Sequence, residues 1–231
     1  MEANYQFYKL SGLSVIVIIM LLFSSCKDNA ATDTSLGNSH LLLVNSAASS
    51  FAINLYWTGN KLNPVPLFYG STTGYKNLTS GVRDVQIKAN SNGALLTTNT
   101  VHLVRDSSYT FFVYETNNTT TTVITEDDLS IPSFGNAKVR FTNLSAGLSS
   151  ADLVISNGPV IASSVSFGTI GSYTELKAGT YNFALVVHGS NSVLLNIPNV
   201  RMDNGKTYTI WSGGKVNGTG STALSVQTFI Q

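Results

Sequence analysis

The chain has 231 residues, of which 13 are basic and 12 acidic, and charged residues make up only 11% of it. Such a composition offers no basic stripe for a nucleic acid, so we predict no nucleic-acid partner. A single cysteine, Cys26, excludes an intrachain disulfide and any cysteine-based metal cluster. The remaining polarity comes from Asn, Ser, Thr and Gly, which is typical of an extracytoplasmic β-protein.

The first predicted element is a secretory signal. Residues 13–23, LSVIVIIMLLF, contain one polar side chain and are too few for a membrane-spanning helix, which needs about 20 residues. Their length suits the apolar region of a signal peptide. Two small residues, Ser24 and Ser25, then precede Cys26.

This FSSC arrangement resembles a relaxed bacterial lipobox. The resemblance implies that residues 1–25 are removed and that the thiol of Cys26 is lipidated, which together with an added N-acyl chain would give a stable membrane anchor. An ordinary signal peptide with a chance cysteine and a single-pass anchor are the alternatives. We therefore predict a lipoprotein whose lipid-attachment residue is Cys26.

Residues 26–40 show no apolar period and predict a flexible tether. Lys27 and Asp28 resemble the charged signals that send some lipoproteins to the outer face of the membrane. We expect a cell-envelope location as an outer-membrane lipoprotein, and the sequence leaves open whether it faces the periplasm or the cell surface.

The rest of the chain is an internal duplication. YGSTTGYKNLTSGVRDVQI, starting at Tyr69, aligns with FGTIGSYTELKAGTYNFAL, starting at Phe167, at a fixed offset of 98, and a later stretch aligns at an offset of 99. The matching motif has the form Tyr-x-x-Leu-x-x-Gly. Its two copies consist of Tyr75, Leu78 and Gly81, and of Tyr173, Leu176 and Gly179.

Both copies predict strands throughout. In TYNFALVV, residues 180–187, large side chains alternate with smaller ones at the period of a strand with one buried face. Turn residues recur about every 8 to 12 positions, which is typical of an immunoglobulin-like sandwich. We predict an all-β chain with a sandwich at 41–128, a linker at 129–136 and a second sandwich at 137–231. Other strands are predicted at 41–45, 52–57, 82–88, 100–104, 108–114, 138–142, 151–155, 198–201 and 206–212.

The repeated motif has a predicted structural role. Gly81 and Gly179 are expected to take a positive φ, and the leucines Leu78 and Leu176 to close one end of each sandwich. The tyrosine rings are expected to pack while their hydroxyl groups reach backbone groups. A ligand site lined by these tyrosines is the functional alternative.

Three stretches of the second copy carry a family resemblance. They are AKVRFTNLSAGLSSADLVISNG, SVSFGTIGSYTELKAGTYNF and GKTYTIWSGG, and they resemble the domain of unknown function 4397, found in tandem in bacterial secreted and lipid-anchored proteins. The first copy fits more loosely, since LLLVNSA lacks the arginine that Arg140 supplies in the second. The resemblance implies a β-sandwich at the cell envelope with a role in adhesion or binding, and no catalytic residues.

The sequence contains no recognisable catalytic or metal-binding set, so we predict a protein that is not an enzyme and has no cofactor. Its histidines, His40, His102 and His188, do not recur between the copies or share a metal-ligand spacing. The one acidic cluster, EDD at 126–128, is predicted to be a solvated charge patch, with loose calcium binding as the alternative.

Aromatic residues leave one functional alternative open. Both tryptophans, Trp57 and Trp211, align with bulky apolar residues and are predicted to pack in the core. By strand alternation Tyr56, Phe112 and Tyr114 face away from that core, and must be exposed or covered by another part of the chain. The predicted function is therefore binding, adhesion or a structural role through an unidentified protein or glycan ligand, with a carbohydrate-binding accessory module as the alternative.

Overall fold

Strands dominate the computed structural model, which describes residues 37–49, 52–117, 119–190 and 192–231. In these ranges the one helical element is a 3-10 turn at Gly220–Thr222, and no helix there could cross a membrane. The predicted signal peptide and Cys26 lie outside the described residues.

The first repeat folds into two sheets. Its strands are β1 (Asn38–Asn45), β2 (Ala52–Trp57), β3 (Asn60–Lys61), β4 (Leu67–Phe68), β5 (Thr72–Thr79), β6 (Gly81–Ala89), β7 (Leu95–Leu103), β8 (Ser108–Thr116) and β9 (Thr119–Glu126). One sheet has the order β5-β1-β8-β9, and in it β1 and β8 run parallel. The other has the order β3-β2-β6-β7, with β4 beside β2.

The second repeat has the same plan. Its strands are β10 (Asn136–Asn143), β11 (Ser150–Ile155), β12 (Val160–Ser166), β13 (Thr169–Ile170), β14 (Thr174–Lys177), β15 (Gly179–Val187), β16 (Val193–Met202), β17 (Thr207–Gly213) and β18 (Ser225–Ile230). One sheet has the order β13-β10-β17-β18 with β14 beside β10, and the other has the order β12-β11-β15-β16. The parallel pair of the first repeat recurs here as β10 and β17.

Each repeat buries its own core, because alternate residues of every long strand point between its two sheets. In β8 the core side chains are Tyr109, Phe111 and Val113, and in β17 they include Tyr208 and Ile210. The prediction of an all-β chain with two tandem immunoglobulin-like sandwiches is confirmed, and each predicted strand overlaps an observed one, with Val104 and Lys206 just outside β7 and β17. β1 begins at Asn38, so the last residues of the predicted tether, including His40, are already in the sheet.

The repeats differ where prolines interrupt a strand. In the second repeat β12 runs continuously beside β11, whereas the equivalent stretch of the first is split into β3 and β4. Pro64 and Pro66 lie between β3 and β4, and proline cannot donate a ladder hydrogen bond. Phe68, at the end of the interrupted stretch, is 58% exposed.

The two sandwiches face each other through the sheets that contain β1 and β10. A third apolar cluster joins Leu42, Val44 and Phe112 of the first repeat to Leu144 and Trp211 of the second. Leu42, Val44, Phe112 and Trp211 alternate with core residues along their strands, and Leu144 directly follows β10. The central strands of the facing sheets, β1, β8, β10 and β17, are therefore buried on both sides, and residues 35–231 form one unit.

Both repeats start at the same end of this unit. Gly37, just before β1, bonds Ser80. The backbone NH of Asp127 donates to the carbonyl of Ser108 at the start of β8, which lies beside the start of β1. The Asp127 side chain pairs with Arg140 of β10, so the first part of β10 lies at this end too. The linker that precedes β10 therefore lies at the end where β1 begins. We call this the tether end, and the opposite end, where β1 finishes at Asn45 beside Gly70, the far end.

Candidate functional site

The motif tyrosines meet in the interface between the sandwiches. The Tyr75 hydroxyl donates to Oδ2 of Asp127 at 2.7 Å, and the Tyr173 hydroxyl donates to Oε1 of Gln231 at 2.5 Å. The expectation that these hydroxyl groups reach backbone groups is wrong. The side chains of Asp127 and Gln231, which directly follow β9 and β18, accept the bonds instead.

A buried ion pair crosses the same interface. Nη2 of Arg140, in the second repeat, lies 2.6 Å from Oδ1 of Asp127, in the first, and these side chains are 1% and 0% exposed. Nη2 also donates to Oγ1 of Thr110, and Nε donates to Oγ1 of Thr209. The guanidinium lies over the Tyr173 ring, 4.8 Å from its centroid. Hydrogen bonds from several partners are what a buried charge pair requires.

The two residues of the ion pair occupy positions at which the repeats differ. β1 pairs Leu42 with Thr110, and β10 pairs Arg140 with Thr209, so Leu42 and Arg140 occupy equivalent positions. Asp127 follows Glu126, which pairs with Tyr109, and Gln231 follows Ile230, which pairs with the equivalent Tyr208. Asp127 and Gln231 are therefore also equivalent. One repeat thus holds a neutral Leu and an acid, and the other an Arg and a neutral amide.

Burial governs the acidity of both motif tyrosines. It raises the pKa of Tyr75 far above its ordinary value, and the neighbouring Asp127 carboxylate raises it further. For Tyr173 burial raises the pKa to about 12, although the positive charge of Arg140 acts in the opposite direction. Both hydroxyl groups therefore stay protonated near neutral pH and serve as hydrogen-bond donors, not as bases or nucleophiles.

The rest of the motif behaves differently in the two copies. Leu78 is buried in the first core, and Leu176 packs half-buried against the second. Gly81 has a φ of 99°, as expected, whereas Gly179 is not among the positive-φ residues, so that part of the prediction is wrong. Gly179 opens β15 in extended backbone, where glycine is not required.

A pair of glycine substitutions tests this difference. We expect Gly81→Ala to lower the free energy of unfolding by about 1–2 kcal/mol, because an L-residue is strained at positive φ. Gly179→Ala should change it by less than about 0.5 kcal/mol, since its Cβ would meet the Tyr181 ring at an ordinary 3.8 Å. Urea unfolding of both variants measures the two costs, and equal costs would contradict the assignment.

The acidic cluster is divided among three environments. Glu126 is exposed at the end of β9, Asp127 is buried against Arg140, and Asp128 pairs with Nζ of Lys138 at 2.7 Å. The prediction of a solvated charge patch is therefore wrong for Asp127. Among the described residues no group of three or more His, Cys, Asp or Glu could hold a metal ion.

The Asp128–Lys138 pair predicts a small pH effect. Hydrogen bonds from Lys138 and then Ser130 lower the pKa of Asp128 from 3.8 to about 2. A depressed pKa in the folded state stabilises the fold above the unfolded-state value, and the contribution fades as pH falls from about 4 to about 2. Because the Asp128 side chain is 56% exposed, we expect Asp128→Asn to cost less than about 1 kcal/mol at pH 7.

Urea unfolding of the wild type and Asp128→Asn between pH 7 and pH 2 checks this prediction. The difference in unfolding free energy should shrink below pH 4. A difference that stays constant over the whole range would assign it to a cause other than ionisation.

The histidines do not come together. His40 is half-buried in β1 and His102 is exposed on β7. Nδ1 of His188 lies 2.9 Å from Oδ1 of Asp152, a histidine–acid pair that the sequence analysis did not identify. Its equivalent in the first repeat is a hydrogen bond between the amides of Asn54 and Asn90. The repetition favours a strand-joining role over catalysis.

Asp152 is held by several donors. Burial alone would raise its pKa, but the backbone NH of Ser164, the His188 ring and the Ser163 hydroxyl outweigh burial, and the pKa is lowered. The carboxylate is therefore ionised near neutral pH and already accepts bonds from its neighbours, as expected of a structural acid.

The aromatic face that motivated the carbohydrate alternative is covered. Phe112 is fully buried, and Tyr114 packs edge-on against Phe167 of the second repeat at 5.6 Å. Trp211 is buried in the same interface and contacts Tyr69 edge-on. Trp57 packs in the first core as predicted, whereas Trp211 packs between the sandwiches. Tyr56, in the other sheet of the first repeat, is half-buried at the surface with Lys88 over its ring.

Open clefts occur at the far end, on both sides of Phe68. One, of about 350 Å³, is lined by the loop with Pro64 and Pro66 and by hydroxyl groups of β5. The other, of about 360 Å³, is lined by Asn90, Ser91 and Leu96, among others. The proline-split strand is the sequence feature that could have indicated this site, because it exposes the ring between two recesses.

The chain belongs to the family described as Domain of unknown function (DUF4397), whose model matches residues 39–154. The match covers the first repeat and the start of the second. No curated protein sequence matches the chain.

Solved structures show only weak likeness. The CBM26 module from Eubacterium rectale, solved in complex with maltoheptaose, has a TM-score of 0.27 and 14% identity, over 82% of this chain and 96% of that one. A protein from Parabacteroides distasonis, provisionally assigned to cell adhesion, has a TM-score of 0.23 and 8% identity, over 85% and 99% of the two chains. At these scores neither likeness carries an argument about ligand or partner.

Proposed function

We propose that the protein is a lipid-anchored component of the cell envelope that holds two fused β-sandwiches and acts by binding, without catalysis. The observation that carries the proposal is that one chain contains Cys26 and, a few residues after it, two sandwiches joined by a buried interface. Residues 27–36 lie between Cys26 and Gly37 and span at most about 35 Å when extended. One anchor would therefore hold both repeats close to a membrane.

Cell fractionation tests the anchor. In the native host the wild-type chain is expected in the membrane fraction, and Cys26→Ala in the soluble fraction. Ser25→Ala is the matched control, because it keeps both the thiol and a small residue before it. Membrane association that survives Cys26→Ala would reject lipidation in favour of a spanning segment.

Protease treatment of intact cells determines which side of the outer membrane the sandwiches face. Digestion without lysis would indicate the cell surface and favour adhesion or glycan capture. Protection until lysis would indicate the periplasm and favour a structural role in the envelope.

We assign the binding surface to the far end, around Phe68. This ring is exposed between two clefts, and it lies at the end opposite to the tether, where a ligand has free access. Hydroxyl and amide side chains line both clefts, as in Ser71, Thr73, Asn90 and Ser91. An exposed aromatic ring among such groups also favours the second candidate function, a carbohydrate-binding accessory module.

Titration against a panel of polysaccharides distinguishes the two candidates. Binding that Phe68→Ala abolishes and Phe134→Ala preserves would support the carbohydrate module, since both substitutions remove an exposed phenylalanine. Flat titrations would reject the carbohydrate module and leave a protein ligand. A hydrolase screen of the same protein should remain blank, and turnover of any substrate would reject the non-catalytic assignment.

A further inference from the structure

The linker between the repeats exposes three large apolar side chains, Leu129 at 40% and two others almost completely. Ile131 is 89% and Phe134 is 98% exposed, the highest values among the exposed large hydrophobic residues, while Pro132 between them is buried. Such exposure leaves apolar surface in water, and apolar surface concentrated in one place marks an interaction site. The linker is therefore a candidate contact surface.

Hydrogen bonds hold this linker in place. The backbone NH of Ser133 donates to Oε1 of Glu175 at 3.1 Å, and that of Gly135 donates to Oδ1 of Asn204 at 2.9 Å. At its start the NH of Ser130 donates to Oδ1 of Asp128 at 3.0 Å. The exposed side chains thus project from a backbone that the second sandwich fixes at two points.

The position of the linker identifies its partner. It lies at the tether end, where the described chain begins at Gly37. Two more exposed apolar residues, Val104 and Val82, lie near Gly37. The carbonyl of Val104 accepts a bond from Ser39, two residues after Gly37, and Val82 lies two residues after Ser80, which Gly37 bonds. Exposed apolar side chains of the first repeat and of the linker therefore lie together at the end from which residues 27–36 lead back to Cys26.

We infer that the tether end rests on a phospholipid bilayer, with Phe134 and Ile131 inserted at the boundary between headgroups and acyl chains. This inference rests on the proposed lipid anchor at Cys26 and adds an orientation to it. A tether that spans at most about 35 Å keeps this end near the bilayer. The far end then points away from the membrane.

Lipid quenching of a site-specific probe tests this orientation. Full-length chain purified from the host is reconstituted into phosphatidylethanolamine–phosphatidylglycerol vesicles, as Phe134→Cys and, separately, as Phe68→Cys. Because lipidation consumes the Cys26 thiol, a fluorophore reacts at one position only. Brominated acyl chains should quench the probe at 134 by at least about twofold and leave the probe at 68 unchanged.

The possible outcomes separate this inference from the anchor. Chain that floats with the vesicles but is unquenched at 134 keeps the anchor and overturns the orientation, as does equal quenching at both positions. Chain that does not float with the vesicles overturns both. A probe at 134 that is shielded in intact cells but not by vesicles would indicate a protein partner and would also overturn the lipid contact.

Discussion

Asp127→Ala is expected to lower the free energy of unfolding by about 3–5 kcal/mol, because it leaves the buried Arg140 guanidinium without its counterion. The remaining partners of Arg140, the hydroxyl groups of Thr110 and Thr209, carry no compensating charge. Chemical unfolding at neutral pH measures the loss. A change below about 1 kcal/mol would contradict the account of the interface.

The duplication supplies a rescue for this variant. Asp127→Gln with Arg140→Leu gives each position the residue of its equivalent in the other repeat, Gln231 and Leu42. Such a pair removes both charges together, and neutral replacement of a buried ion pair is often harmless. We expect the double variant to recover most of the stability that Asp127→Ala loses. Additive losses from the two single changes would mean that the two side chains do not act as a pair.

Trp211→Ala is the second substitution with a large expected effect. Trp211 is 1% exposed, and removing a buried tryptophan costs about 3–5 kcal/mol. Because it packs between the sandwiches and not inside one, its loss should also uncouple them. Calorimetry is expected to resolve two unfolding transitions where the wild type gives one.

Trp57→Ala provides the control, since Trp57 lies in the core of the first sandwich. It should lower stability without separating the transitions in the same way, and limited proteolysis in the linker should accelerate only for Trp211→Ala. A single transition for Trp211→Ala would show that the cluster around it does not join the repeats.

Most of the fold could be predicted from the sequence because two signals agree. Strand alternation identifies buried positions such as Phe183 and Leu185, and the duplication confirms each strand a second time. Turn residues mark where the strands end. Local patterns of this kind encode which face of a strand is buried within its own sandwich.

The interface was beyond these patterns. LLLV in β1 is apolar on both faces, which indicates burial on both sides, but no local rule states what covers the second face. Arg140 and Asp127 lie in different repeats. From the sequence alone, an isolated arginine on a strand is predicted to be a surface residue. Their pairing depends on how the two repeats pack, and this is why the charge patch, the tyrosine partners and the position of Trp211 were predicted incorrectly.

The candidate binding surface was also missed. No sequence pattern distinguishes Phe68, since a phenylalanine in a short strand is usually part of a core. Pro64 and Pro66 are typical turn residues by sequence, but in the structure they lie between β3 and β4, just before the exposed ring. Cys26 remains a prediction from the lipobox resemblance.

The mass of the amino-terminal peptide of the mature protein, isolated from the native host, tests the central claim most directly. The account predicts a chain that begins at Cys26 and carries a diacylglyceryl group on sulfur and a fatty acyl group on the α-amino nitrogen. An unmodified Cys26, or a mature chain that begins beyond it, would contradict the lipid anchor and with it the proposed orientation at the membrane.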